Sequence, residues 1–293
     1  FFIADLHSLT THPKAEDFHS NVKIILSEYL ASGLDPEKST LFVQSSVPQV
    51  CELYVLLNML TYKGELERTA SFKDKVRLNP QNVNAGLLTY PVLMAADILV
   101  HRADWVPVGK DQEQHLEITR LLARRFNKLY NVAVFPEPEA YNFGSNLVKI
   151  PGLDGSGKMG KSEGNGIYLI DDQKTITKKV MRAVTDSGPA GKGSPMSQEI
   201  TNLFTLLSVV SEPAVVQHFR DQYDNGTIRY GDLKKQLAED ICKHTLPIKA
   251  RIEEIYNDDA YLKYVIDKGT EEARSSARAT MELVREAVGF KVF

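Results

Sequence analysis

The chain reads as α/β over its first half, a parallel sheet with helices packed on it, and as all-helical over its second. Three observations carry this. Short apolar runs of strand length alternate with segments of helical periodicity as far as the glycine-rich stretch 152–166. The first two strands are separated by a long helix and no hairpin turn, which makes a βαβ crossover with parallel neighbours and a right-handed connection. Beyond residue 166 the alternation stops and only helices follow, as expected of two domains of different class. The length of 293 residues accommodates that division at roughly 150 residues per domain. The expected boundary lies between 1–170 and 171–293, with the last helix packing back on the first domain.

Residues 1–5 (FFIAD) read as a buried strand. Phe18, Val22, Ile25 and Tyr29 then recur at three and four residues, a helix closed by Gly33. Residues 41–43 (LFV) are a second strand. A helix over 50–60, a charged segment over 64–75 and a polar loop at Asn79, Pro80, Gln81 and Asn82 come next. Residues 84–100 form a largely apolar helix in which Pro91 removes a backbone donor and should end or kink a turn. Residues 105–108 (WVPV) are a short strand running to Gly109. Helix resumes over 112–130, with Ile118, Leu122, Phe126 and Leu129 inward and Arg120, Arg124, Arg125 and Lys128 largely outward. Helices are expected at 172–183, 198–210, 212–223, 232–256, 259–268 and 270–288, with a Gly/Pro/Ser loop over 187–195.

Composition narrows the function classes. Hydrophobic residues at 43% and charged residues at 25% argue against disorder, collagen or coiled coil. No run approaches the ~18 consecutive apolar residues of a membrane span, since Asp97, Glu52 and Asn58 interrupt the longest ones; no membrane association is expected. With 35 Lys and Arg against 38 Asp and Glu, nothing global advertises nucleic acid, and such a partner must be met by a local patch. Cys51 and Cys242 stand far apart, which fits a reducing, cytoplasmic address and no disulfide framework or cysteine zinc site. Phe1 opens in an apolar run, like a chain that starts inside a fold.

Residues 155–162 (GSGKMGKS) match G-x-x-x-x-G-K-[ST], the phosphate-cradling P-loop, and 167–171 (IYLID) resemble a magnesium-holding strand and Asp. That mechanism needs a helix starting at the Lys-Ser, and 163–166 (EGNG) is poor helix material. The strand also follows too soon for a crossover helix. The rival is a loop on which Lys158 and Lys161, flanked by glycines, close over a polyphosphate and neutralise the charge of phosphoryl or nucleotidyl transfer. A solvated lysine-rich loop is the plain alternative.

Residues 158–162 (KMGKS) resemble the second signature of class I aminoacyl-tRNA synthetases, with 152–155 (GLDG) as the lead-in and Gly160 where the family usually has Ser. Residues 64–68 (GELER), 71–73 (SFK), 87–91 (LLTYP), 93–99 (LMAADIL), 106–115 (VPVGKDQEQH), 125–127 (RFN) and 183–187 (AVTDS) are similar, in the expected order, to bacterial-type tryptophanyl-tRNA synthetases. The resemblance implies a Rossmann-like catalytic domain with helices on both faces over 1–170 and a helical tRNA- and anticodon-binding domain over 171–293. It implies a tryptophan–tRNA ligase that activates L-tryptophan with ATP and Mg2+ to tryptophanyl-adenylate, releases pyrophosphate, and transfers tryptophan to tRNA(Trp). A homodimer formed through the α/β domain is implied too. The family's first strand and first ATP signature precede the segment matching Phe1, which implies an N-terminally incomplete chain that, taken as it stands, would bind ATP poorly. A tyrosyl-tRNA synthetase-like enzyme, a P-loop NTPase or a noncatalytic tRNA-binding relative are the alternatives.

By the same resemblance Lys158 and Lys161 are catalytic, stabilising charge as pyrophosphate leaves, while Lys75, Asp111, Met159 and Ser162 join them in binding ATP. Asp97, among apolar helical neighbours, would accept the indole N–H of tryptophan, a donor-only group; a structural pairing with an internal Arg or backbone donors is the other reading. Met94, Val106 and Val108 would be apolar walls, or simply core. Tyr90 and Gln112 are candidates for the substrate's ammonium group, with His7 lining the same pocket. Asp111 lies at the carboxyl end of a parallel strand, where it could bind ribose hydroxyls or merely cap the next helix. Glu113, His115 and Glu117 have a ligand-like spacing, but a solvated helix face is expected and no metal site. Lys174, Lys178, Lys179 and Arg182 recur at helical spacing as one basic face for tRNA phosphates, followed by Lys234, Lys235, Lys243, Lys249 and Arg251.

Overall fold

The computed structural model describes residues 1–109, 112–141, 149–160 and 163–290. Two compact units emerge, Phe1–Gly144 with Asp258–Phe293, and Ser145–Asn257. This differs from a division at 170, because the glycine-rich loop makes its contacts with the helices that follow it.

The first unit opens with β1 (Phe2–Ile3), the one-turn α1 (Asp5–Ser8) and α2 (Ala15–Ala31). β2 (Phe42–Val43) pairs with β1 in parallel, Phe2 opposite Phe42 and Ile3 opposite Val43. Gly33, at φ +103°, turns the chain out of α2 in the left-handed region where a Cβ would be strained. After α3 (Gln49–Asn58) the charged segment forms two short helices, α4 (Lys63–Glu67) and α5 (Ala70–Leu78). Asn84 caps α6 (Ala85–Leu99), accepting the Leu87 N–H at 2.9 Å. Then come β3 (Trp105–Pro107), α7 (Glu113–Tyr130) and β4 (Glu139–Tyr141), a second parallel pair with Val106 opposite Ala140. β4 carries no apolar run to betray it in the sequence.

The second unit holds α8 (Gln173–Met181), α9 (Gln198–Val210), α10 (Pro213–Asp224) and α11 (Tyr230–Tyr256). Ile176, Val180, Ile200, Leu203, Leu207, Leu233, Leu237 and Ile241 form its core. The chain returns to the first unit in α12 (Asp259–Val288), whose Ala273, Ala277, Met281 and Val284 join a core built from α3, α6 and α7. No helix among the described residues is long and apolar enough to cross a membrane.

Three local expectations are corrected. Pro91 does not end α6, because the buried side of that helix, with Val92, Ala95, Ala96 and Leu99, outweighs one missing backbone donor. The buried stripe of α7 runs through His115, Leu116, Thr119, Leu122, Ala123 and Phe126, leaving Leu129 exposed. Gly269 does not separate two helices: α12 is continuous, and a Cβ at Gly269 would overlap the Leu41 backbone. The glycine lets the helix lie against the chain entering β2.

Candidate active site

Tyr90, Met94 and Asp97 lie at helical spacing on one side of α6. Asp97 is buried, and its carboxylate is met from two segments brought beside α6 by the β1–β2 pairing. Gln44, just past β2, donates through Nε2 to Oδ1 at 2.8 Å and Oδ2 at 2.9 Å. His7, in α1, lies with Nε2 2.9 Å from Oδ2. Gln44 is itself held by the Leu6 N–H, which reaches its Oε1 at 3.1 Å. Desolvation pushes the Asp97 carboxyl above the ordinary carboxylate range, against the pull of the His7 and Gln44 hydrogen bonds. The partners are an amide and an imidazole, where the structural reading of Asp97 names an internal Arg or backbone donors.

A second cluster adjoins through rings. His7 and Tyr90 meet edge to face, with centroids 6.4 Å apart. The Tyr90 hydroxyl lies 2.9 Å from His115 Nε2, and His115 Nδ1 lies 2.9 Å from Gln112 Oε1. An acceptor on Gln112 assigns the proton to Nδ1, so Nε2 accepts from Tyr90. Ser71 Oγ shares that nitrogen at 2.9 Å. The expectation of a solvated face for His115 is therefore wrong: it is buried because Tyr90, Ser71 and Gln112 satisfy both ring nitrogens. The Lys75 ammonium stands 3.7 Å over the Tyr90 ring, where partial burial holds its pKa below the ordinary lysine range. Thus His7, Tyr90, Asp97, Gln112 and Lys75 are brought together, with Met94 half-buried one turn from Asp97. Val106, on β3, and Val108, just beyond it, are half-buried and outside this polar network. Asp111 lies outside the described residues.

A cavity of about 210 Å³ is lined by Leu6, Tyr54, Asn84, Gly86, Tyr90 and Leu93, among others. Gln44 was missed in the sequence, where Ser71 enters only as part of the 71–73 motif and His115 reads as a solvated residue. Gln44 had one signal, its place at the carboxyl end of a parallel strand.

The lysine loop belongs to the second unit. Gly152 N–H donates to the Ser156 carbonyl at 3.0 Å and Met159 N–H to the Ile150 carbonyl at 2.9 Å, so the segment folds back on itself. The Ser156 hydroxyl and backbone N–H hold Asp154 below the ordinary carboxylate range. Met159 is half-buried against the helical core, and the Lys158 side chain is exposed. Lys161 and Ser162 lie outside the described residues. A P-loop is overturned here: residues 163–171 contain a turn and irregular backbone but no helix and no strand. Asp171, the supposed magnesium ligand, pairs with Lys179 at 2.6 Å.

The basic stripe is divided. Lys174 and Lys178 are exposed beside an open depression on α8, whereas Lys179 and Arg182 line a separate cavity of about 360 Å³ with Asp154 and Glu163. Lys179 also stands 4.3 Å over the Tyr168 ring. Lys234 is buried with Nζ on the Ala183 carbonyl at 2.7 Å, and Lys243 and Lys249 pair with Asp240 and Glu253. These last three belong to the fold rather than to one continuous basic face.

Residues 1–244 match the family model described as tRNA synthetases class I (W and Y). The chain is 60% identical over 291 residues to the tryptophan–tRNA ligase of Porphyromonas gingivalis, covering 99% of this chain and 89% of that protein. It is 40% identical over 289 residues to the tryptophan–tRNA ligase of Fusobacterium nucleatum subsp. nucleatum, covering 99% and 87%. The crystal structure of tryptophanyl-tRNA synthetase from Campylobacter jejuni, complexed with ADP and tryptophan, superimposes with a TM-score of 0.88 at 35% identity, over 98% of this chain and 88% of that one.

Proposed function

The chain belongs to the class I tRNA synthetases of the tryptophan and tyrosine type, and on that footing we infer how its residues divide the work of activating tryptophan. It is a tryptophan–tRNA ligase with a Rossmann-like fold and a helical domain, using ATP as substrate and acting on tryptophan and tRNA(Trp).

One observation supports the substrate contact: Asp97 is a buried carboxylate with three hydrogen bonds. An ionised carboxylate has about four acceptor positions, and the one on Oδ1 that no described residue fills suits the indole N–H. A phenylalanine ring would leave that position unmet in a desolvated place, which is how a buried polar group discriminates. In this reading Met94, Val106 and Val108 are apolar walls and His7 orients the carboxylate. Tyr90 and Gln112, both tied to His115, receive the substrate's ammonium group.

The tryptophan carboxylate is the nucleophile on the α-phosphate, and pyrophosphate leaves as the adenylate forms; the tRNA 3′ hydroxyl then takes the tryptophanyl group and releases AMP. Positioning and charge neutralisation are the protein's contribution. We assign the charge to Lys158 and Lys161, with Lys75 exchanging its place over Tyr90 for the ATP phosphates, and Asp111, Met159 and Ser162 completing the nucleotide contacts. Among the described residues no group of three or more His, Cys, Asp or Glu is placed to hold a metal ion. We take Mg2+ to arrive on the ATP phosphates as part of the substrate. The domain assignment proposed is catalysis over 1–170 and tRNA recognition over 171–293, with Lys174, Lys178, Lys179 and Arg182 as phosphate contacts. A homodimer in the cytoplasm completes the reading, the address resting on two cysteines, Cys51 and Cys242, that are both free thiols.

Pyrophosphate exchange by the full-length gene product, assayed with each of the twenty amino acids, tests the substrate assignment. Exchange should depend on tryptophan; comparable exchange with tyrosine or phenylalanine would remove Asp97 from its role.

A further inference from the structure

We propose that Asn165 is the positioning residue of the lysine loop, its buried amide fixing the backbone from which Lys158 projects. This rests on the reading of Lys158 as the charge that meets the departing pyrophosphate.

Asn165 stands between two glycines in irregular backbone, yet only 6% of it is exposed. Its Oδ1 accepts the Gly160 N–H at 2.9 Å. Its Nδ2 faces three acceptors, Asp154 Oδ1 at 3.0 Å, Ser156 Oγ at 2.9 Å and the Lys158 carbonyl at 3.0 Å. Its own carbonyl accepts the Leu153 N–H at 3.0 Å. One side chain thus binds the loop on both sides of Met159, holding the carbonyl of Lys158 and the amide of Gly160. Only a group with a donor end and an acceptor end can do both. Gly152 completes the cradle, because a Cβ there would overlap the Asn165 amide.

A second buried amide holds the root of the loop. Asn202, on α9, donates through Nδ2 to the carbonyls of Gly155 and Ser156, both at 3.0 Å. Gln198 Nε2 reaches Asn202 Oδ1 at 2.9 Å, which sets the direction of that amide. The backbone is therefore fixed while the Lys158 side chain stays exposed. A charge placed in advance needs less reorganisation when pyrophosphate leaves.

The test compares Asn165→Ala, Asn165→Asp and Lys158→Ala in pyrophosphate exchange by the full-length gene product. Both Asn165 variants should lower kcat about tenfold or more and leave KM for tryptophan within about twofold, the split expected of a group that matters in the transition state. Asp should fail as Ala does, since a carboxylate can accept from Gly160 but cannot donate to Asp154 or the Lys158 carbonyl. Combining Asn165→Asp with Asp154→Asn restores an amide facing a carboxylate and should recover part of kcat, which relief of a general folding defect would not do. Hydrogen exchange at the Gly160 amide should quicken in both single variants. Wild-type kcat in the Asn165 variants beside a slow Lys158→Ala enzyme would overturn the positioning role and spare the lysine assignment. A wild-type rate in Lys158→Ala would overturn the lysine assignment and this inference with it. A joint fall of kcat, tryptophan affinity and melting temperature, without recovery in the double variant, would also overturn it.

Discussion

Replacing Asp97 by Asn keeps the side chain's size and removes one charge from the buried end of α6. The network shows what that does. Gln44 Nε2 reaches both carboxylate oxygens, at 2.8 and 2.9 Å, so an Asn amide turned either way sets its own N–H2 against that donor. Gln44 cannot simply rotate in answer, because its Oε1 is occupied by the Leu6 N–H at 3.1 Å. The indole N–H then meets a neutral acceptor, or a donor, in place of a carboxylate. A hydrogen bond to a charged group is worth about 1.5–3 kcal/mol, so kcat/KM for tryptophan should fall roughly tenfold to a few hundredfold. KM for ATP should hold within about twofold. Stability should change little, because desolvation already opposes the charged form of Asp97 and its removal offsets part of the lost bonding. The assays are steady-state pyrophosphate exchange over a tryptophan series and a thermal melt of the same preparation, with a Tm shift of no more than about 4 °C expected, the equivalent of ~1–2 kcal/mol. Unchanged tryptophan kinetics beside a melting temperature lowered by much more would refute the reasoning and leave Asp97, Gln44 and His7 as a structural cluster.

Three further outcomes are expected. Gly269→Ala should destabilise the first unit by about 1–3 kcal/mol, because the added methyl overlaps the Leu41 backbone and α12 must move away; urea unfolding measures it, and an unchanged midpoint would show that the helix has room. Burial lowers the His101 pKa to about 4, so the folded protein keeps that imidazole neutral while the unfolded chain takes up a proton below about 6.5. Stability from this group is complete above pH 6.5 and declines as pH falls toward 4, by at most about 3 kcal/mol; urea midpoints at pH 7 and 4.5 should converge in His101→Gln, and an undiminished difference would assign the acid sensitivity elsewhere. Reversing Lys174 and Lys178 to Glu should impair tRNA charging and leave pyrophosphate exchange near normal, with wild-type tRNA affinity falling steeply with salt. These two are a cleaner pair than Lys179, whose ammonium is engaged by Asp171 and Tyr168; normal charging in the double variant would return them to an ordinary solvated surface.

Much of the architecture is local information and could be read along the chain. The periodicity of residues 15–31 and the missing hairpin before Phe42 already require a parallel β1–β2 pair, and the poor helix-forming run 163–166 already argues against a P-loop. A charge among apolar helical neighbours marks Asp97, and the motifs surrounding 158–162 mark the family. Pro91 and Gly269 could not be read so well, because their effect depends on what packs beside them. β4 was hidden for the same reason, since its pairing with β3 and not its composition makes it a strand.

Sequence spacing determines which face a residue shares within one helix or strand, and so it delivered Tyr90, Met94 and Asp97 together on α6. It has no access to partners drawn from distant segments. Gln44 reaches Asp97 across 53 positions and Ser71 reaches His115 across 44, distances at which no periodicity operates. The tertiary fold made those pairings, and with them it turned His115 from an apparent surface residue into the buried hub of Tyr90, Ser71 and Gln112. The physical reason is desolvation: once packing closes over a polar side chain, only partners supplied by other segments can replace its water, and the sequence alone does not say which segments those are.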